Sequence, residues 1–142
     1  MNQEVQIKSI AQLEALAQKV ALRLERKQML LISGTLGAGK TTFVRAMAKA
    51  LGAPDASSPT YAIHQRYEGT KRTIDHVDLY RLEDAHDLES SGFWDLFNRE
   101  EGLVVVEWAD RLDESAWPRD WACLKLHFSF SESSGRRVVL AD

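Results

Sequence analysis

Cysteine occurs once in the 142 residues, at Cys123, so no intramolecular disulfide can form. No Cys/His cluster at zinc spacing exists either, since His64, His76, His86 and His127 are scattered along the chain. A reducing compartment, the cytoplasm, is the expected setting. No apolar run approaches the roughly 18 residues that would span a bilayer, so no membrane association is expected. The opening MNQEVQIKSI lacks the basic start, long apolar stretch and small-residue cleavage site of a secretory leader. An excess of positive charge is missing as well. Lys and Arg number 18 against 21 Asp and Glu, giving a net charge of −3, which speaks against broad electrostatic binding of nucleic acid. Internal repeats and low-complexity tracts are absent.

What is present suits one globular unit. The chain is 44% hydrophobic and 27% charged, and its length lies near the commonest domain size, so residues 1–142 are read as a single domain with its own core. Glu4–Lys8 alternates polar and apolar side chains and reads as a strand. Ser9 and Gln12 form a capping box, and Ile10, Leu13, Ala17, Val20, Ala21 and Leu24 recur at helical spacing, which predicts a helix over 10–26. Met29–Ser33 and Gly102–Glu107 are continuous apolar runs of the kind buried in parallel sheets. Residues 40–51 predict a helix stopped by Gly52 and Pro54, and 53–59 a polar loop. Tyr61–Glu68 and Lys71–Leu79 read as a hairpin, and 82–96 as a mixed helical stretch broken near Gly92. Trp121–Phe130 and Arg136–Leu140 predict two last strands. The expected class is α/β: a three-layer sandwich with a mostly parallel sheet and helices on both faces.

Between the first apolar run and its following helix lies Gly34-Thr35-Leu36-Gly37-Ala38-Gly39-Lys40-Thr41, a match to G-x-x-x-x-G-K-[ST]. The chemistry explains these residue types. Glycines let the backbone curl so that successive N–H groups of Leu36 to Thr42 face phosphate oxygens, and the helix start adds partial positive charge. Lys40 carries a full charge to the β and γ phosphates, and the Thr41 hydroxyl is a hard ligand suited to Mg²⁺. A chance match in such a chain occurs at about half a percent. The N-K-x-D signature of guanine readers is absent, which favours ATP.

Such a loop needs an acid at a neighbouring strand end to hold Mg²⁺ or its water shell. Glu107 closes one buried run, where open α/β sheets place their ligands, and Asp78 lies near another strand end. For each the plainer alternative is a helix cap or a solvated surface group. Ser58-Pro59-Thr60-Tyr61 occupies the place where phosphate-loop switches keep a hydroxyl, with Thr60 the candidate and an ordinary proline turn the alternative. Arg81 either neutralises phosphate or pairs with Asp84. Trp108, directly after the candidate acid, packs on a nucleotide, on a partner or in the core. His64, His86 and His127 read as structural or surface residues, and Arg136-Arg137 as a solvated strand start.

The loop with Thr42-Phe43, then Ser58-Pro59-Thr60-Tyr61, then His76-Val77-Asp78-Leu79-Tyr80-Arg81-Leu82, then Glu107-Trp108, resembles in this order the TsaE (YjeE) family. The resemblance runs from about residue 8 to 140. It implies a phosphate-loop α/β domain that binds and slowly hydrolyses ATP with Mg²⁺. It implies action with TsaB and TsaD, which transfer a threonylcarbamoyl group to adenosine 37 of tRNA, so that tRNA is met only indirectly through the complex. It also implies that Lys40 contacts phosphates and that Thr41 and Glu107 bind Mg²⁺. Asp78 and Glu107 would then be the essential acids, with Trp108 beside the nucleotide. Thr35 stands where the family often has an acid, and Ala109-Asp110 where Pro-Glu is common. The competing readings are a small-molecule kinase, for which little chain is left to build an acceptor pocket and lid, and a nucleotide-sensing module that does not require hydrolysis.

Overall fold

The apolar runs become the centre of a seven-stranded sheet. The computed structural model describes residues 2–35, 37–53, 64–80, 88, 92–131 and 135–142. In chain order the elements are β1 (Gln3–Ile7), α1 (Ile10–Leu22), β2 (Lys27–Gly34), α2 (Lys40–Ala50), β3 (His64–Glu68), β4 (Thr73–Asp78), β5 (Gly102–Glu107), β6 (Ala122–Phe130) and β7 (Arg136–Ala141). Short 3-10 segments cover Phe93–Phe97, Ala109–Arg111 and Glu114–Ala116. The strand order is β1-β7-β6-β2-β5-β4-β3. The central four, β6-β2-β5-β4, run parallel, and antiparallel partners close both edges. The α/β class and the parallel sheet centre are as the sequence predicts.

β2 and β5 are continuous apolar runs because both their faces are covered. Leu30, Ile32, Leu103 and Val105 face the helices, packing with Leu13, Val20, Phe43 and Met47. Met29, Leu31, Val104 and Val106 face the other way. α1 and α2 lie in one layer and pack on each other. The opposite face is covered, among the described residues, by the 3-10 segments and a cluster of Phe93, Trp94, Phe97, Trp117 and Trp121. Its ring pairs lie 4.7–6.4 Å apart, most of them edge-on, and the Trp121 indole donates to the Phe97 carbonyl at 3.1 Å. Leu88, buried in the same cluster, adds to this cover.

α1 ends at Leu22, four residues short of its predicted end. The chain must turn there to enter β2, and Arg26 already offers its carbonyl to the Gly102 N–H at 2.9 Å. Leu22 and Ile10, at the two ends, are exposed. The β3–β4 hairpin is antiparallel, with Gln65 opposite His76 and Tyr67 opposite Ile74. Of the predicted elements, the 53–59 loop (beyond Ala53), the start of the 61–68 strand and most of the 82–96 stretch lie outside the described residues.

β4 carries different chemistry on its two faces. His76 and Asp78 share the face of Ile74, towards the helices, and Asp75 lies on the other. The Asp75 carboxylate is buried. It accepts from His64 Nε2 at 2.8 Å, Arg66 Nε at 2.9 Å and Arg99 Nη1 at 3.1 Å. Burial pushes its pKa up, but the hydrogen bonds from Arg66 and His64 and the charge of Arg99 outweigh that and hold it below the usual carboxylate value. A depressed carboxylate pKa stabilises the fold above the unfolded-state value and loses that contribution as pH falls through the folded-state value. Asp75→Asn should therefore cost about 2 kcal/mol at pH 7, lowering Tm by about 6 °C. Thermal melts across pH check this: the gap to the wild type should close in acid, and a gap independent of pH would contradict it.

Candidate active site

The loop between β2 and α2 is shaped by three glycines. Gly34 has φ +126°, and a Cβ there would lie 2.0 Å from the Phe128 carbonyl oxygen, so only glycine lets β2 leave the sheet this close to β6. The Thr35 N–H then donates to that same carbonyl at 3.0 Å. Gly37 and Gly39 have φ +81° and +108°, left-handed values natural to glycine. Gly39 is the N-cap of α2 and brings no side chain to its first turn. The N–H groups of Lys40, Thr41 and Thr42 have no partner within the helix by its geometry, and they share the positive end of its dipole. This is an anion cradle at the C-terminal end of the parallel strands.

Lys40 is buried at the neck of the cradle. Its ammonium donates to the Gly34 carbonyl at 2.7 Å and to the Thr35 carbonyl at 3.1 Å, and lies 4.1 Å from the centre of the Trp108 ring. Burial lowers its pKa, against the opposing pull of Glu107, Asp110 and Asp78. Trp108 reaches this position by a left-handed backbone, φ 58°, the only non-glycine residue with positive φ among those described. For a large side chain such a conformation costs roughly 1–2 kcal/mol and persists only where its surroundings impose it. The ring is held between Lys40 and Tyr80, whose centroid is 4.9 Å away.

The two candidate acids stand side by side, Asp78 opposite Glu107 in the β4–β5 register. Glu107 is 2% exposed, and its two carboxylate oxygens are held separately. Oε1 accepts the Thr41 hydroxyl at 2.9 Å, and Oε2 lies 2.6 Å from His76 Nε2. Asp78 accepts the Tyr80 N–H at 2.9 Å, and its pKa is raised, chiefly by burial and further by the neighbouring Glu107. Behind His76, the Tyr67 hydroxyl lies 3.0 Å from Nδ1 and 3.3 Å from the Gln65 side-chain oxygen. Burial and the charge of Glu107 push the Tyr67 pKa up to about 12, so the phenol keeps its proton near neutral pH.

Lys40, Thr41, Asp78, Glu107 and Trp108 are thus gathered at one place. Gly37, Ala38, Gly39 and Thr42 border an adjoining hollow of about 320 Å³ whose far wall is Ile10 and Leu13. Leu36, Thr60 with its Ser58-Pro59-Tyr61 segment, and Arg81 lie outside the described residues. A larger hollow, about 670 Å³, lies elsewhere, lined by Arg26, Arg72, Asp75 and Arg99, and takes in none of these residues. Sequence reasoning missed His76 and Tyr67. The signal for His76 was the alternation His76-Val77-Asp78, which puts the histidine on the face of the acid; nothing local marked Tyr67, which meets it only across the hairpin.

The donor set suits Mg²⁺ bound with a nucleotide. Among the described residues no group of three or more His, Cys, Asp or Glu forms a protein-only metal cage. A hydroxyl and one or two carboxylates beside an anion cradle leave room for phosphate oxygens and water, which Mg²⁺ prefers.

A family model described as threonylcarbamoyl adenosine biosynthesis protein TsaE matches residues 7–138. The tRNA threonylcarbamoyladenosine biosynthesis protein TsaE of Aquifex aeolicus is 40% identical over 111 residues, covering 76% of this chain and 77% of that protein. The protein of the same name from Haemophilus influenzae is 38% identical over 91 residues, covering 63% of this chain and 57% of that one. In the latter case the match thus spans little more than half of the relative's own length. A crystal structure of Bacillus subtilis YdiB superposes with a TM-score of 0.75 over 99% of this chain and 84% of that one, at 23% identity, a likeness of fold.

Proposed function

Because the chain belongs to the TsaE family, we propose that it binds ATP with Mg²⁺ and hydrolyses it slowly in tRNA threonylcarbamoyladenosine biosynthesis. TsaB and TsaD are its protein partners in this reading, tRNA is met only through them, and the cytoplasm is where it works. The observation that carries the reading is the Thr41–Glu107 hydrogen bond beside Asp78, with Lys40 at the neck of the glycine loop. One hydroxyl, two acids and one ammonium converge where a phosphate-loop enzyme transfers a phosphoryl group.

In this site the cradle N–H groups and Lys40 bind the phosphates and stabilise charge on the phosphoryl group as the water oxygen replaces the ADP oxygen at phosphorus. Thr41 and Glu107 would hold Mg²⁺, which would supply positive charge to the phosphates. Asp78 orients the attacking water or the water shell of the metal. Trp108 pins Lys40 and borders the nucleotide, and the hollow between Thr42 and Ile10 has room for the nucleoside. Turnover by the isolated chain is expected to be slow, with TsaB–TsaD raising the rate.

The test is ATP hydrolysis by the purified chain, alone and with TsaB–TsaD. A slow Mg²⁺-dependent rate that rises with the partners is expected. No hydrolysis in either condition, or a rate indifferent to the partners, would contradict the proposal.

A further inference from the structure

The buried group that the mechanism above does not use is His76. It is fully buried in the middle of β4, beside Val105 in the register with β5. Its ring reaches along the sheet to Glu107, with Nε2 2.6 Å from Oε2. A carboxylate oxygen only accepts, so the proton between them sits on Nε2, while Nδ1 lies 3.0 Å from the Tyr67 hydroxyl, which donates to Gln65 Oε1 at 3.3 Å. Tyr67 stands on β3, Glu107 on β5 and Thr41 on α2, so three secondary-structure elements besides β4 meet through this one ring.

The consequence for Glu107 is geometric. A glutamate has three torsions, and a buried carboxylate bonded at one oxygen alone can still swing about that bond. Glu107 is bonded at both oxygens by donors on different elements, Thr41 Oγ1 on one side and His76 Nε2 on the other. Its plane is therefore fixed. The imidazole is fixed in turn, since Tyr67 occupies its second nitrogen and the two rings pack 5.7 Å apart. A metal-binding carboxylate aligned by an outer partner of this kind binds more tightly than a free one.

We propose that His76 is a positioning residue for ATP hydrolysis: held by Tyr67, it sets the orientation of Glu107 and so keeps one carboxylate oxygen on Thr41, where Mg²⁺ binds. This rests on Glu107 serving the nucleotide site as proposed above, and it assigns a function to a side chain that never touches nucleotide.

Three variants test it. His76→Leu fills the space without a donor. His76→Gln places an amide N–H close to the position of Nε2. Tyr67→Phe removes only the hydroxyl. In His76→Leu, kcat per folded molecule should fall 10- to 100-fold, and the Mg²⁺ concentration that half-saturates ATP binding, read by calorimetry without turnover, should rise about as much. His76→Gln should recover most of both. If His76→Leu does not fold, Tyr67→Phe decides, with the same two shifts expected at roughly threefold. Wild-type values of kcat and of the Mg²⁺ requirement in the folded variants would overturn the proposal. So would nitrogen NMR of the metal-free protein if it found His76 Nε2 without a proton. Glu107→Gln, assayed alongside, separates the two failures. If it keeps full hydrolysis, the reading of the site is wrong; if it is inactive while the His76 variants are normal, only the positioning role is.

Discussion

Lys40→Ala should abolish ATP hydrolysis, by 10²–10³-fold or more, and weaken ATP binding with it. The reason is the arrangement at the loop neck. Lys40 is a cation placed among Asp78, Glu107 and Asp110, whose charges all act on its ammonium. Without it, the triphosphate would meet uncompensated carboxylates, and a donor directed at developing charge would be lost, a loss worth about that much in other sites. The fold should survive, because α2 is held by Phe43, Val44, Met47 and Ala48, all buried. Calorimetric titration with ATP and a single-turnover assay read the two effects separately. Unchanged affinity and turnover would remove the basis for assigning the loop to nucleotide.

Glu107→Gln should have the second large effect, and of a different kind. The two groups that face this carboxylate, the Thr41 hydroxyl and His76 Nε2, both donate. An amide of the same shape can keep its oxygen on His76 Nε2 and turn its NH₂ towards Thr41, whose hydroxyl then accepts instead of donating; the shape survives, but the charge offered to a metal at Thr41 is gone. ATP binding, which rests mainly on the loop and Lys40, should stay within a few-fold of the wild type, whereas hydrolysis should fall 10²–10³-fold and respond poorly to added Mg²⁺. A variant that loses binding and hydrolysis in parallel would show that Glu107 serves the fold of the loop rather than the metal.

The parts of the molecule written in the sequence are those with local causes. The glycine loop is legible because each glycine answers a local demand, seen at Gly34, Gly37 and Gly39. β5 matches its predicted bounds, Gly102 to Glu107, because a run of valines flanked by polar residues has one reading. The hairpin is legible from its turn at Glu68-Gly69-Thr70. The same holds for Lys40, Thr41, Asp78 and Glu107, whose positions follow from the ends of strands and the start of a helix.

What the sequence hides depends on partners far along the chain. Nothing local says that α1 and α2 share one layer, or that rings from Phe93 to Trp121 gather on the other face. That outcome depends on which face of the sheet each connection crosses. Nor does Trp108 announce its left-handed backbone, since tryptophan has no preference for it; in the folded chain its ring lies between Lys40 and Tyr80. The Tyr67–His76–Glu107 contacts need the register of two strand pairs before they can be seen.

The central claim is that this site spends ATP so that its partners can work repeatedly. The measurement that tests it most directly counts modified tRNA molecules formed per TsaB–TsaD complex in the presence of wild-type chain, of Glu107→Gln and of neither. Many rounds with the wild type, and no more than about one with Glu107→Gln or without the chain, is the result expected. Repeated rounds supported by a Glu107→Gln protein that binds ATP and the partners but does not hydrolyse would contradict it.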